Sequence, residues 1–412
     1  MNGIDIPTPI AKTPYFNYVS FIKVLSFPNI GQIIEVLMDQ RNNISQSLDY
    51  NEHLVSQELL KVLMKHFSCI KTLDYCTETS RITQNIPFTY FPGATECLAD
   101  VTTLNCDSDI ILCPQMFRKI QSLSITFVDT VSDELVQLIH SQQNLKHLEL
   151  NTQFDMNWPI ILPTFESALK KHYHTLTKLY IYGCETPISF ISSCYNLQEL
   201  VISIFPIFPT ESQPPSDVFD ELQLATFPNL KIFKIPYDIP KIEILIKFLE
   251  MNGKNLNELR TGLDHADNSL NRSIAQFCPN LKKLTLNFEN DEIDSLKYIF
   301  AHCQSLESII IWCKDNRLNG VDLFEVVVKH SPKNFCELKI DLDFLFLPKD
   351  LEVFFTSWWD RTPRKSLNLV IFKNNFNSGK CKVSKENIKI IKRYKKLGIL
   401  KEFEITDLYE LE

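Results

Sequence analysis

The chain has 412 residues, 44% apolar and 22% charged, the balance of an ordinary soluble folded protein. Its formal charge of -8 supplies no global attraction to nucleic acid or to an anionic membrane. Its nine glycines, of which the closest pair is Gly253 and Gly262, exclude the tight spacings of a dinucleotide fingerprint, a phosphate-binding loop and a hydrolase nucleophile elbow.

The first residues, MNGIDIPTPIAK, lack a basic start followed by an apolar run, so no secretory signal is expected. No stretch approaches 18 consecutive apolar residues, so no membrane span is expected either. The twelve cysteines include no C-x-x-C pair, which predicts free thiols in a reducing compartment, cytoplasm or nucleus, with no zinc or redox centre. No cofactor is called for.

Residues 1–20 read as a lead-in segment and 21–412 as one repeat domain. Apolar spacing predicts helices over Asn29–Gln40 and Glu52–Phe67, a loop over Pro87–Gly93, and short helices over Ser132–His140, Phe165–Tyr173 and Ile188–Tyr195. Pro206–Ser216 carries four prolines and reads as an insertion without regular structure. Helices follow over Lys241–Met251, Ser269–Phe277, Leu323–His330 and Leu351–Trp359. The last, Lys385–Leu397, has Ser384 placed to cap it and Gly398 just past its end, and LKEFEIT closes the chain as a strand.

Between these helices one pattern returns. In Phe277–Trp312 it occurs twice: Cys278, Leu281, Leu284, Leu286, then Cys303, Leu306, Ile309, Ile311. Alternating apolar residues followed by helical spacing describe a strand and a helix that cannot cover their own apolar faces, so neighbours must stack. Phasing outward from there gives about fourteen units, centred on Leu25, Leu73, Leu104, Leu123, Leu148, Leu179, Leu200, Phe233, Leu259, Leu284, Ile309, Leu338, a weak copy at Leu367–Leu369, and Phe403. The expected fold is an α/β leucine-rich-repeat solenoid, a horseshoe with a parallel sheet on its concave face and α-helices on its convex face.

The Cys-x-x-Leu-x-x-Leu corners at Cys194, Cys278 and Cys303 resemble the cysteine-containing class of leucine-rich repeats, with Cys69 read as a further corner thiol. That class is similar to the substrate-recognition arrays of F-box proteins, and the start PYFNYVSFIKVL resembles fungal F-box/leucine-rich-repeat proteins. The resemblance implies a part in a Skp-cullin-F-box ubiquitin ligase, with the repeats holding the protein to be ubiquitinated. Phe27–Leu37 (FPNIGQIIEVL) echoes an F-box opening, but the Cys-x-x-Val-x-x-x-Trp that should follow is missing. The resemblance therefore places a Skp-type adaptor among the partners only if an F-box is supplied, with 1–20 as a linker remnant. A stand-alone scaffold of the ribonuclease-inhibitor kind fits the same residues.

Alternation sends the consensus residues inward and the variable ones onto the concave face. There Lys178, Tyr180, Tyr182, Lys234, Arg260, Lys283, Ile310 and Trp312 are the candidate contacts for a protein partner, Trp, Tyr and Arg being the usual binding anchors. Ordinary strand preference explains the aromatic residues equally well. His172-Tyr-His174 lacks partners spaced for a metal and reads as a helix-end pair. Asp107-Ser-Asp109 and Asp341-Leu-Asp343 read as solvated turns. Nine Lys/Arg residues fall within Lys380–Lys401, either a dock for an acidic partner or nucleic acid, or the polar face of the last helix. No nucleophile, metal or glycine-loop motif is present, so no catalytic turnover is expected.

Overall fold

Strands form where apolar and polar residues alternate, and each repeat centre falls on one. The computed structural model describes residues 18–39, 48–76, 86–128, 130–152, 158–183, 189–203, 219–236, 240–262, 267–288, 293–313, 320–341, 347–373 and 384–407. Pro206–Ser216 lies outside them, as do Lys380, Lys382 and most of the lead-in segment. The chain divides into two compact units, Met1–Gly183 and Cys184–Glu412, which share the repeats expected over 21–412.

In the first unit, β1 (Val24–Ser26), β2 (Thr72–Tyr75), β3 (Thr103–Asp107), β4 (Ser122–Phe127), β5 (His147–Thr152) and β6 (Lys178–Tyr182) pair in chain order. Every pairing is parallel, and Leu25, Leu73, Leu104, Leu123, Leu148 and Leu179 stand side by side across it. The helices are α1 (Phe27–Asp39), α2 (Leu48–His66), α3 (Ala94–Leu98), α4 (Asp133–Ser141) and α5 (Trp158–Leu169). Phe127 of β4 meets Phe165 of α5 edge-on at 5.4 Å between ring centroids, so the leucine face is the one the helices cover.

The second unit repeats the plan. It has β7 (Glu199–Ser203), β8 (Ile232–Lys234), β9 (Glu258–Arg260), β10 (Lys283–Phe288), β11 (Ser308–Cys313), β12 (Glu337–Asp341), β13 (Leu367–Lys373) and β14 (Leu400–Asp407). Leu200, Phe233, Leu259, Leu284, Ile309, Leu338, Leu369 and Phe403 align in one parallel register. The helices are α6 (Ile242–Asn252), α7 (Asn268–Phe277), α8 (Ile293–His302), α9 (Gly320–His330), α10 (Pro348–Trp359) and α11 (Lys385–Lys396). Both units have the parallel strands and flanking helices of a leucine-rich-repeat fold.

Three expectations change. Of the α-helix expected over Ile188–Tyr195, the described residues form a 3-10 turn over Ser189–Ser193 instead, since Leu179 and Leu200 are only 21 positions apart. The Pro87–Gly93 loop contains a 3-10 turn, Phe88–Tyr90, and leads into α3, with Gly93 at φ +87; a Cβ there would sit 2.7 Å from the Met64 carbonyl oxygen. The thirteenth repeat is a full seven-residue strand whose in-phase pair is Leu369 and Ile371, two residues later than the sequence suggests.

The corners between helix and strand are dry. Cys194, Cys278 and Cys303 are fully buried there, and burial pushes the Cys194 and Cys303 thiols up to about 12 and raises Cys278 as well. Cys69 does not share this role: it is half-buried and directly precedes Ile70, two residues later in the unit than the other three. Two other corners use buried amides. Gln142 Nε2 donates to the Phe117 and Leu138 carbonyls, while its Oε1 accepts from Ile120 N–H. Asn252 accepts from Phe227 N–H at 2.6 Å and donates to the Ala225 and Phe248 carbonyls.

The approach to a strand has one recurring joint: two successive amides donate to a single carbonyl of the preceding repeat. Lys146 and His147 use Gln121, Asn257 and Glu258 use Lys231, and Glu307 and Ser308 use Lys282. Among the described residues no helix is long and apolar enough to cross a membrane.

Candidate protein-binding face

The face of each sheet opposite the leucine line carries the variable residues. In the first unit, Lys178 is exposed and Tyr180 and Tyr182 are half-buried on β6. In register beside them on β5 lie His147, Glu149 and Asn151. The His147 and Tyr180 rings meet edge-on with centroids 4.7 Å apart, and Ser122 Oγ lies 3.0 Å from His147 Nδ1. Tyr180 is therefore held in place by its neighbours on β4 and β5. Past Tyr182 the chain turns at Gly183, φ +75, where Thr152 Oγ1 donates to the carbonyls of both Tyr182 and Gly183.

In the second unit one register line runs Val201, Lys234, Arg260, Thr285, Ile310, Lys339, Val370. A parallel line two residues earlier runs Glu199, Ile232, Glu258, Lys283, Ser308, Glu337, Asn368. Charges neutralise each other between the lines. Lys234 Nζ lies 2.8 Å from Glu258 Oε1, and Lys339 Nζ lies 3.7 Å from Glu337 Oε2. Ser308 Oγ donates to Glu337 Oε2 at 2.5 Å. Lys283 is exposed and, among the described residues, forms no ion pair.

Trp312 is not an exposed anchor. It is 5% accessible and belongs to an apolar cluster with Val370 and Phe372, against which Ile310 packs. Its ring stacks on Phe372 at 4.9 Å and 24°, reaching across the intervening β12. The strict alternation of inside and outside fails here because large side chains on β11 and β13 meet on the open face and exclude water from one another. Thr285 and Asn287 on β10 are buried too, which leaves Lys283 as the accessible member of that strand. Phe372 and Val370 were missed because the thirteenth repeat was phased on Leu367. The unbroken run Leu369–Phe372 carries the signal, since a strand buried on both faces loses its alternation.

The remaining sequence candidates resolve separately. His172 ends a 3-10 turn and is buried, its Nε2 2.9 Å from the Ile139 carbonyl oxygen near the end of α4. Burial lowers its pKa, so it is a neutral cross-repeat tie in place of a charged helix-end residue. Asp107 and Ser108 are buried, contrary to a solvated turn; Ser108 Oγ donates to the Thr130 carbonyl and accepts from Val128 N–H. Asp343 lies outside the described residues. Among the described residues, no three His, Cys, Asp or Glu side chains stand together as metal ligands would.

No family model matches the chain, and no curated protein does. Among solved structures the chain is similar to one titled "Crystal structure of Rad7 and Elc1 complex in yeast", with a TM-score of 0.44 and 15% identity over 84% of this chain and 88% of that chain.

Proposed function

We propose that this chain is a non-catalytic protein-recognition module whose open face holds a protein partner, and that it serves as the substrate-recognition part of an F-box-type ubiquitin ligase. The observation that carries the recognition reading is the register line of the second unit. It sets Arg260 and Ile310 two strands apart on the face opposite the leucine line, with Lys283 exposed on the strand between. A mixed cationic and aliphatic surface of that kind fits a protein patch that is acidic and partly apolar. The ligase reading adds the resemblance of the Cys194, Cys278 and Cys303 corners to F-box protein arrays.

A stand-alone scaffold is the second reading. It is favoured by Phe27–Leu37, the stretch that echoes an F-box, which lies within α1 directly after β1 and so belongs to the first repeat. Co-expression of the full chain with a Skp-type adaptor and its cullin separates the two. Stoichiometric co-purification of the adaptor supports the ligase, and partner capture without it supports the scaffold. The recognition reading itself is tested with Arg260→Glu plus Lys283→Glu. The pair should weaken partner capture about thirtyfold, the loss typical of hot-spot removal, with no change in thermal unfolding. Capture that survives the pair but fails when Pro206–Ser216 is replaced by a Gly/Ser linker would move the site off this face.

A further inference from the structure

The first repeat lacks what the terminal unit of a stacked array needs, a polar outer side. At the far end of the chain β14 turns Lys401, Glu402 and Glu404 to solvent, and α11 turns Lys385, Lys389, Lys392 and Lys396 there. At the near end Phe21, Val24, Ile33 and Val36 are each more than half exposed. Ile22 shows what is left open. It holds the position that Ile70, Val101, Ile120, Leu145 and Leu176 hold in the next five repeats, all of them buried, yet it is 37% exposed.

The backbone of β1 is equally unfinished. In the next repeat the Lys71 and Thr72 amides donate to the Lys23 carbonyl, and Thr72 is the register partner of Val24. Lys23 and Val24 are therefore the matching donors of the first repeat, and among the described residues no carbonyl receives them. Because the Lys23 carbonyl faces β2, alternation turns both the amide and the carbonyl of Val24 to the outer edge. Helix α1 points the same way. Its buried positions Phe27, Ile30, Gly31 and Ile34 have the spacing of Asn387, Ile390, Ile391 and Tyr394 on α11. On α11 the residue that reaches the preceding helix is Arg393, which meets Glu352 of α10 at 2.7 Å. The matching residue of α1 is Ile33, and among the described residues no α-helix precedes α1.

We propose that this end of the chain joins a second copy of itself, edge to edge, about a two-fold axis through Val24. Such an axis, normal to the sheet, sets the two β1 strands antiparallel. Each Val24 amide then donates to the other copy's Val24 carbonyl, the hydrogen-bonded pair of an antiparallel ladder. The same axis serves the helices. Val24 lies three residues before the start of α1, about 10 Å at strand rise, and Ile33 six residues after it, about 9 Å at helical rise. Both stand at one level, so Ile33 meets its own counterpart. No charge opposes the approach: Asn29 and Gln32 flank Ile33, Glu35 falls on the other side of α1, and Lys23 Nζ is held 3.3 Å from the Cys69 carbonyl oxygen. An uncharged edge that complements itself selects a second copy over a partner chosen by charge. The five apolar side chains expose roughly 500 Å² per copy, short of the about 800 Å² per partner of a standard interface, so the dimer is reversible. The association does not depend on what the open face of the second unit binds.

The test is sedimentation equilibrium of the full chain from about 1 to about 100 μM, the range in which an interface of this size dissociates. The weight-average mass should rise from one chain to two and stop there. Ile33→Glu and Ile33→Lys should each weaken the dimer about tenfold or more, with thermal unfolding at low concentration unchanged, since the side chain is exposed. An equimolar mixture of these two variants should recover the dimer, because the axis sets position 33 against itself. Val24→Pro removes the paired amide at an edge position that tolerates proline and should weaken the dimer as well. Val353→Glu on α10, also at an exposed site, should leave it within about twofold. A dimer indifferent to Ile33→Glu, or a mixture that stays monomeric, overturns the proposal. So does a mass that grows past two chains, the mark of end-to-end joining. A single chain across the whole range overturns it too, and slow hydrogen exchange of the Val24 amide in that chain would assign the edge to the chain's own residues 1–17.

Discussion

His172 holds the Ile139 carbonyl with one ring nitrogen, while Nδ1 is buried and has no hydrogen-bond partner. Burial depresses its folded pKa below the ordinary 6.5, and Lys171, His174 and His140 push the same way against the favourable Ile139 carbonyl. In acid the unfolded chain therefore takes up this proton first. The stability His172 contributes is complete above 6.5 and is lost as pH falls toward the folded value. The urea midpoint should drop between about pH 7.5 and pH 5.5, and His172→Gln should flatten that fall; identical slopes would contradict the assignment. Trp312 makes the second prediction at this scale. Trp312→Ala empties a cluster shared with Phe372 and Val370 and should cost about 3 kcal/mol in denaturant unfolding. From sequence the same change reads as harmless to the fold, since alternation alone places Trp312 outside. Leu284 and its register partners were legible because each interacts mainly with the strand before and after it. Trp312 was not, because its burial depends on a residue two strands and sixty positions away.

At the level of single elements, most helices of ten residues or more were legible from their spacing, down to the Ser384 cap that accepts from Asn387 N–H at 3.0 Å; α5 was not, since it runs Trp158–Leu169 where Phe165–Tyr173 was expected, with Lys170–His172 as a 3-10 turn. Short connections were not, because a 3-10 turn and one turn of α-helix bury the same residues over five positions. The corners carry the clearest element-scale prediction. Asn252→Ala strands a buried Phe227 N–H and the Ala225 carbonyl between neighbouring repeats, each worth about 1 to 3 kcal/mol. Gly253→Ala, one residue on, pushes a methyl to 2.7 Å from Cys278 Sγ and 2.9 Å from the Phe277 carbonyl oxygen, so both repeats must shift. Native-state hydrogen exchange should report either change as faster exchange in α6 and β9, with β12 and β13 unaffected; uniform acceleration across the second unit would mean that the corner is not a local joint.

Across each unit, a strand pairs with the strand before it and the strand after it in sequence, so stability is a sum over neighbours. Exchange protection in the second unit should peak at β10 and β11 and decline toward β14, whose Phe403 and Ile405 are only half-buried. The candidate face was legible as a face, because strand periodicity assigns sides. Which of its residues are accessible was not. Lys234 is engaged by Glu258 and Trp312 by Phe372, and both partners come from other repeats.

The shared joint at the start of the strands has a consequence for how such a chain can change. Two amides bound to one carbonyl hold the spacing ahead of the strand to a set length, and among the described residues this paired joint does not recur behind the strands. Sequence spliced in behind a strand would leave this joint untouched, and the proline-rich Pro206–Ser216, read from its sequence as an insertion, follows β7 in the chain. A repeat with this joint thus has its length set ahead of its strand, so sequence added behind the strand leaves the stack ahead of it in step.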